Sequence, residues 1–247
     1  MLKTLEPDRP AQHFHESWHS PEGRAIREVI FGANDGLITT VGFVSGLSGS
    51  QLLLVDSRIV LIAGLAEVIA GAISMALGAY LSTKSQREFF EKEIGIEMRE
   101  IEENPLREKQ EVREIYASKG FSPEEVEIVV NRITADKEQT LQFMVKEELG
   151  LVPEAFDSPI KNGFLMGFSF VVGALPPLLP YGFLPAVRAL PFSLAFSALA
   201  LFGFGVGKTY FTQKNWMKSG LEVVGLGVLA AGIGYLGGWV VSGLLTG

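Results

Sequence analysis

Two carboxylates interrupt stretches of sequence that are otherwise long and apolar. Asp35 is the one charged residue between positions 29 and 55, and Glu67 is the one charged residue between positions 59 and 82. A carboxylate inside a bilayer costs roughly 2.5–3.5 kcal/mol on insertion scales, so such residues usually serve ion or proton movement. We expect Asp35 to bind a cation and Glu67 to carry a proton. The alternatives are a cap or an interhelical hydrogen bond for Asp35, and a structural pair with a hydroxyl for Glu67.

Met75 supplies a thioether at a depth similar to that of Asp35. Asp35 lies six residues into the first apolar stretch, and Met75 lies seven residues from the end of the second. A rise of 1.5 Å per residue places them about 9 and about 10 Å from the same membrane edge. A carboxylate and a thioether together suit a borderline divalent ion better than Mg²⁺ or Ca²⁺. The alternative for Met75 is a core or lipid contact.

A second group of carboxylates recurs at a spacing of three residues in the polar middle of the chain. Glu97 and Glu100 form one such pair, and Glu108 and Glu111 form another. Residues at i and i+3 share a helix face, so each pair can present two carboxylates to one cation. A solvated face is the alternative, and the interleaved Lys and Arg residues favour it. On spacing alone the two interpretations are balanced.

All three histidines lie in a polar N-terminal arm, at positions 13, 15 and 19. His15 and His19 are four residues apart and could share a metal on one helical turn. A solvated tail is the alternative, and for a short polar arm it is the commoner outcome. Residues 83–161 contain no histidine and hence no Glu-x-x-His motif, which disfavours a di-iron oxidase of the ferritin type in that segment.

The charge of the chain is concentrated in one segment. The 247 residues carry a net charge of −7 and contain no Cys, and the mean hydropathy is +0.27. Residues 83–161 hold 12 Lys and Arg against 19 Asp and Glu, which accounts for the entire net charge. This pattern excludes a disordered chain, a disulfide-rich secreted module and a nucleic-acid-binding protein, which would need a basic face. It indicates a membrane protein with an acidic insert exposed to water.

Five apolar stretches are long enough to cross a bilayer, since about 20 residues suffice. They cover residues 29–55, 59–82, 162–187, 189–207 and 221–247. With a cytosolic N-terminus, 19 basic residues fall on the inside and 2 on the outside, so the positive-inside rule places the C-terminus outside. We predict an all-α integral membrane protein with five transmembrane helices and a cytosolic three- or four-helix insert between helices 2 and 3.

The predicted domains follow from these boundaries. They are a cytosolic arm at 1–28, helices 1 and 2 at 29–82, the acidic insert at 83–161 and helices 3 to 5 at 162–247. Within the insert, Pro105 begins a helix, Ser122 caps the next one, and a last helix covers residues 137–149. Prolines 176, 177 and 180 end the third transmembrane helix near residues 175–179. Small residues recur at four-residue spacing, which lets helices approach closely and fits a dimer interface; the pairs are Gly32/Gly36, Gly42/Gly46, Ala66/Ala70 and Ser74/Gly78.

Four segments resemble the vacuolar iron transporter family, in the branch that has a cytosolic metal-binding insert. They are residues 31–49 (FGANDGLITTVGFVSGLSG), 64–81 (GLAEVIAGAISMALGAYL), 143–151 (FMVKEELGL) and 175–181 (LPPLLPY). The resemblance runs from about residue 24 to the C-terminus. It implies a homodimer that exchanges cytosolic Fe²⁺ for protons along a path between the subunits, with Asp35 and Met75 as ion ligands. It also implies an insert that collects metal; its ligands here are Glu97, Glu100, Glu108, Glu111, Met144 and Glu148.

Two positions depart from the pattern of that family. Plant members carry a Met-Met pair in the last insert helix, where this chain has Met144 followed by Val145. Members can also carry an acidic residue before the first transmembrane helix, where this chain has Arg24 and Arg27 with Glu22 and Glu28 alongside. We therefore expect weaker sulfur ligation in the insert and assign no ligand at the entrance to the path.

The leading hypothesis is a secondary transporter that moves Fe²⁺, with Mn²⁺ as a second candidate, out of the cytosol in exchange for protons. It would need no cofactor, because the metal is the substrate. The alternative is a membrane-anchored iron sensor or store, for which buried carboxylates such as Asp35 have no use. An enzyme is disfavoured, since the chain has no nucleophile–base set. The compact chain has no organelle signal, which favours a prokaryotic cell membrane over a vacuole.

Overall fold

A computed structural model describes residues 23–50, 56–151 and 158–246. All regular secondary structure in these ranges is helical, which confirms the all-α prediction. The helices are α1 Gly23–Gly49, α2 Ser57–Glu103, α3 Pro105–Ser118, α4 Pro123–Ile133, α5 Lys137–Glu147, α6 Pro159–Leu178, α7 Ala186–Thr212 and α8 Trp216–Thr246. A short 3-10 turn, Leu179–Gly182, follows α6. The three N-terminal histidines lie outside the described residues.

Five of the described helices are long and apolar enough to cross a membrane, judged by length and composition. They are α1, α2, α6, α7 and α8, one for each apolar stretch of the sequence. All five begin earlier than the stretch itself: α1 begins at Gly23 and α8 at Trp216. Helix propagation adds one hydrogen bond per residue whatever the side chain, so polar residues at the ends extend a helix that apolar residues define. As predicted from its prolines, α6 ends at Leu178.

Helix α1 lies at the centre of the apolar helices and packs against α6 on one side and α8 on another. Glycine makes both contacts close. A Cβ at Gly36 would lie 2.1 Å from the Phe170 carbonyl oxygen, and one at Gly234 would lie 2.2 Å from the Gly42 carbonyl oxygen. No side chain fits at such distances, so Gly36 of α1 and Gly234 of α8 serve helix packing within the chain.

Helix α2 presents the other small-residue pattern on its outer side. Ala66, Ala70, Ser74 and Gly78 follow one another at four-residue spacing, and all four are exposed. A Cβ at Gly78 would meet nothing within 4 Å. This small-residue face of α2 is therefore exposed, whereas the glycines of α1 pack against other helices of the chain.

The polar insert consists of the end of α2 together with α3, α4 and α5. Helix α2 runs for 47 residues from the apolar region into the insert without a break. Ser122 caps α4 through a capping box with Glu125, and Gly120 before it has a φ of +88°. A small apolar core holds α3, α4 and α5 together around Val112, Val130 and Met144. The predicted helix boundaries of the insert are therefore confirmed to within two residues.

Candidate metal-binding sites

Three glutamates from different parts of the insert meet where α2 turns into α3. Glu97 lies near the end of α2. Asn104 reverses the chain, and its N–H donates to the Glu100 carbonyl, after which Pro105 starts α3 and places Glu108 in its first turn. Glu148 follows α5 as its C-cap, and its N–H donates to the Met144 carbonyl. The turn and the packing of α5 against α2 therefore bring residues of distant sequence position to one point.

The three carboxylates are close enough to share one ion. One oxygen from each of Glu97, Glu108 and Glu148 lies within 4.8 Å of the other two. Glu97 is 3% exposed and Glu108 is 2% exposed, and an oxygen on each has no hydrogen-bond partner among the described residues. Unpaired buried carboxylate oxygens are costly. A divalent cation would remove that cost, because hard oxygen ligands are what such ions take.

The same crowding perturbs how these carboxyl groups ionise. Burial, and then the charges of Glu148 and Glu108, raise the pKa of Glu97 to about 8. Burial and then the charge of Glu111 raise the pKa of Glu108, and burial followed by the charges of Glu111 and Glu100 raises that of Glu148. A hydrogen bond between Glu97 and Glu108 favours the proton on Glu97. At neutral pH the metal-free cluster therefore holds a proton that a cation must displace.

The other residues expected to bind metal in the insert lie around this cluster in different settings. Glu100 and Glu111 are half-buried, and the charge of each reaches the cluster. Glu111 also accepts a 2.9 Å hydrogen bond from Arg107. Met144 lies one turn before Glu148 but is fully buried in the apolar core of the insert. The structure thus gathers carboxylates across helices, whereas the spacing of three residues pairs them along one helix.

In the apolar region, the two carboxylates lie near each other on neighbouring helices. Asp35 on α1 and Glu67 on α2 are both half-buried, and the Asp35 carboxylate is close enough to interact electrostatically with Glu67. Thr40 on α1 donates a 3.3 Å hydrogen bond to Glu67 Oε2. A structural pair with a hydroxyl was the alternative given for Glu67. The hydroxyl is that of Thr40, which lies on α1 as Asp35 does.

Met75 lines a cavity of about 570 Å³ between α1, α2 and α6. The cavity also contains Glu28, which is 5% exposed and accepts a 2.6 Å hydrogen bond from Arg27. The sequence interpretation assigned no ligand role to Glu28, because it lies before the apolar stretch beside Arg24 and Arg27. The spacing of seven residues between Glu28 and Asp35 could have predicted that both lie on one face of α1, since residues two helical turns apart share a face.

The model of the VIT family matches residues 26–239, which include both apolar carboxylates and the entire insert. The chain belongs to the VIT family. Vacuolar iron transporter 1 of Eucalyptus grandis is 39% identical over 218 residues, covering 88% of this chain and 86% of that protein. Vacuolar iron transporter 1 of Arabidopsis thaliana is 36% identical over 92% of this chain and 91% of its own length.

The similarity extends to a protein of a yeast. Protein CCC1 of Saccharomyces cerevisiae is 30% identical over 224 residues, which is 87% of this chain and 68% of that protein. The family resemblance drawn from the four sequence segments is therefore confirmed. The family match extends on both sides of residues 83–161.

Proposed function

We propose that this VIT family protein transports Fe²⁺ out of the cytosol, with Mn²⁺ as a second candidate substrate. The observation that carries the proposal is the family match over residues 26–239 together with relatives named iron transporters. The glutamate cluster of the insert supports it, since three carboxylates around one point suit a divalent cation. In this proposal the metal is the substrate, the counter-ion is a proton and no cofactor takes part.

The proposed topology has five transmembrane helices, α1, α2, α6, α7 and α8, with the N-terminus and residues 83–161 in the cytosol and the C-terminus outside. The distribution of Lys and Arg supports this orientation. The relatives from Eucalyptus and Arabidopsis are named vacuolar, and a prokaryotic cell membrane is the other proposed location. In either membrane the insert faces the cytosol, from which the metal is removed.

The proposed metal path begins in the insert and continues into the apolar helices. The cluster of Glu97, Glu108 and Glu148 collects the ion at the cytosolic side. The ion then loses water on binding Asp35 and Met75, because a carboxylate and a thioether offset part of its dehydration. Glu67 returns protons in the opposite direction, and its hydrogen bond from Thr40 holds the carboxylate beside Asp35. No phosphate-binding loop is present in the sequence, so an inward proton gradient is the proposed energy source.

A homodimer is part of this proposal. The exposed faces of Ala66, Ala70, Ser74 and Gly78 on α2 allow a second copy to approach closely, as small residues do in membranes. Ser74 and Gly78 also border the cavity that holds Met75. A second α2 packed on this face would cover the open side of the cavity and enclose the metal path between two subunits.

Replacing Ala70 by Phe is expected to shift the protein from dimer to monomer. The side chain of Ala70 is exposed in the single chain, so a larger residue is tolerated there but separates two α2 helices. The measurement is the mass of the detergent-solubilised protein by light scattering. Ala195→Phe is the matched control, since Ala195 is exposed on α7. A dimer that survives Ala70→Phe, or that Ala195→Phe dissociates equally, would place the interface elsewhere.

Transport itself is tested by Fe²⁺ uptake into liposomes that contain the purified protein. The proposal predicts uptake that saturates with Fe²⁺ concentration and is absent from protein-free liposomes. The alternative, a membrane-anchored sensor or store, predicts Fe²⁺ binding by the insert and no uptake. The two outcomes are exclusive, because binding by the insert alone cannot move metal into the vesicle lumen.

A further inference from the structure

Three helices converge on the cavity that contains Met75, and the third of them contributes a second sulfur. Met166 of α6 lines this cavity together with Met75 of α2 and Glu28 of α1. Met166 is 7% exposed. A buried thioether on α6, a half-buried thioether on α2 and a buried carboxylate on α1 therefore surround one space.

Close backbone contacts hold α6 against both α1 and α2 beside this cavity. A Cβ at Gly32 of α1 would lie 2.5 Å from the Met166 carbonyl oxygen, so α6 touches α1 at this residue. A Cβ at Gly167 would lie 2.9 Å from the Ala72 carbonyl oxygen, so the next residue of α6 touches α2 one turn from Met75. Gly32 lies between Glu28 and Asp35 in α1. Met166 consequently lies between the level of the insert and that of Asp35.

The carboxylate in the cavity is only partly engaged. Both hydrogen bonds that Glu28 accepts from Arg27 go to the same oxygen, Oε1, at 3.2 and 2.6 Å. The Arg27 side chain is 78% exposed, so it can turn away into water at little cost. A cation in the cavity can thus replace Arg27 as the counter-charge of Glu28, which avoids leaving the buried carboxylate unpaired.

We propose that Glu28, Met75 and Met166 form a metal station between the insert and Asp35, and that Met166 makes it selective for Fe²⁺ over Mn²⁺. Thioether sulfur is a soft ligand, and Mn²⁺ is the divalent first-row ion that gains least from soft ligands. The proposal rests on the proposed transport function. The pairing of Asp35 with Met75 includes no ligand from α6 and does not explain a preference between metals. The station adds both.

The test replaces Met166 with Leu, which keeps the side-chain volume and removes the sulfur. Uptake of Fe²⁺ and Mn²⁺ is measured in competition in liposomes. The preference for Fe²⁺ is expected to fall about tenfold, the size of effect that follows from losing one supporting group at a metal site, with Mn²⁺ uptake unchanged. Met217→Leu, at an exposed position of α8, is the matched control. An unchanged Fe²⁺ preference in Met166→Leu overturns the proposal.

A second measurement is independent of transport. X-ray absorption of the full-length protein loaded with Co²⁺ reports sulfur among the metal's neighbours. Sulfur scattering is expected in the parent protein and Met217→Leu, and a reduced amount in Met166→Leu and in Met75→Leu. Sulfur lost in Met75→Leu but unchanged in Met166→Leu overturns the assignment of Met166. If the parent protein takes up neither metal, the transport function fails, while the absorption result still decides the station.

Discussion

Replacing Asp35 with Asn is expected to abolish metal transport, lowering the Fe²⁺ uptake rate by at least about 100-fold. Asn keeps the size and shape of the side chain and removes its charge. An ion leaving water inside the apolar helices needs a formal negative charge nearby, and losing a charge-assisted contact worth about 3 kcal/mol corresponds to about 100-fold in rate. The measurement is initial Fe²⁺ uptake into liposomes, normalised to the amount of inserted protein.

Asp56→Asn provides the control for this experiment. Asp56 caps α2 by accepting a 3.0 Å hydrogen bond from the Arg58 N–H, and Asn caps a helix about as well as Asp. The same chemical change at this exposed position should leave uptake within about twofold of the parent. If Asp35→Asn transports metal at the parent rate, Asp35 is not on the metal path and the proposed route is wrong.

The second large effect is expected at the insert, where Glu97→Gln should weaken metal binding by about 10- to 100-fold. Gln resembles the protonated carboxyl group in shape and offers no negative charge, so the ion keeps two of three carboxylates. The measurement is isothermal titration of the full-length protein with Mn²⁺, which does not oxidise in air as Fe²⁺ does. Glu103→Gln is the control, because Glu103 is three residues from Glu100 but is exposed and outside the cluster.

The pH dependence gives this prediction a second readout. Because the pKa of Glu97 is raised to about 8, metal binding must release its proton, and affinity should fall about tenfold per pH unit below 8. Without metal, Glu97 makes the free energy of unfolding fall as pH rises, which is the opposite of the effect of a salt-bridged acid. The contribution of Glu97 is fully present below its ordinary pKa of 4.5 and is lost as pH rises toward 8.

Glu97→Gln should therefore flatten both profiles. Its residual metal affinity should change less with pH than that of the parent, and its metal-free insert should not lose stability from this group between pH 4.5 and 8. The parallel measurement is thermal unfolding followed by circular dichroism across that range. Parent-like pH profiles in the variant would show that Glu97 does not hold the titrating proton.

Much of the fold follows from local patterns in the sequence. Apolar length identifies the five long helices, and the caps and breakers of the insert act within a few residues: Ser122 begins α4, and Gly120 and Gly150 follow α3 and α5 with positive φ. Such signals depend on neighbouring residues alone. The prolines near residue 177 end α6 for the same reason.

The candidate sites were only partly predictable, because their geometry depends on contacts between distant residues. Spacing within one helix pairs Glu97 with Glu100, whereas the turn at Asn104 sets Glu97 against Glu108. The sequence likewise pairs Met75 with Asp35 by depth. The packing of α6 between α1 and α2 adds Met166 to the cavity that Glu28 and Met75 line, and no periodicity within α1 or α2 predicts the position of Met166.

The central claim is that outward movement of the metal is coupled to inward movement of protons. The most direct test uses liposomes containing the purified protein and a pH-sensitive dye in the lumen, with the membrane potential clamped by K⁺ and valinomycin. Adding Fe²⁺ outside should cause metal uptake and a simultaneous rise in luminal pH as protons leave, and both should be lost in Asp35→Asn. Saturable Fe²⁺ uptake with no change in luminal pH would contradict the exchange of metal for protons.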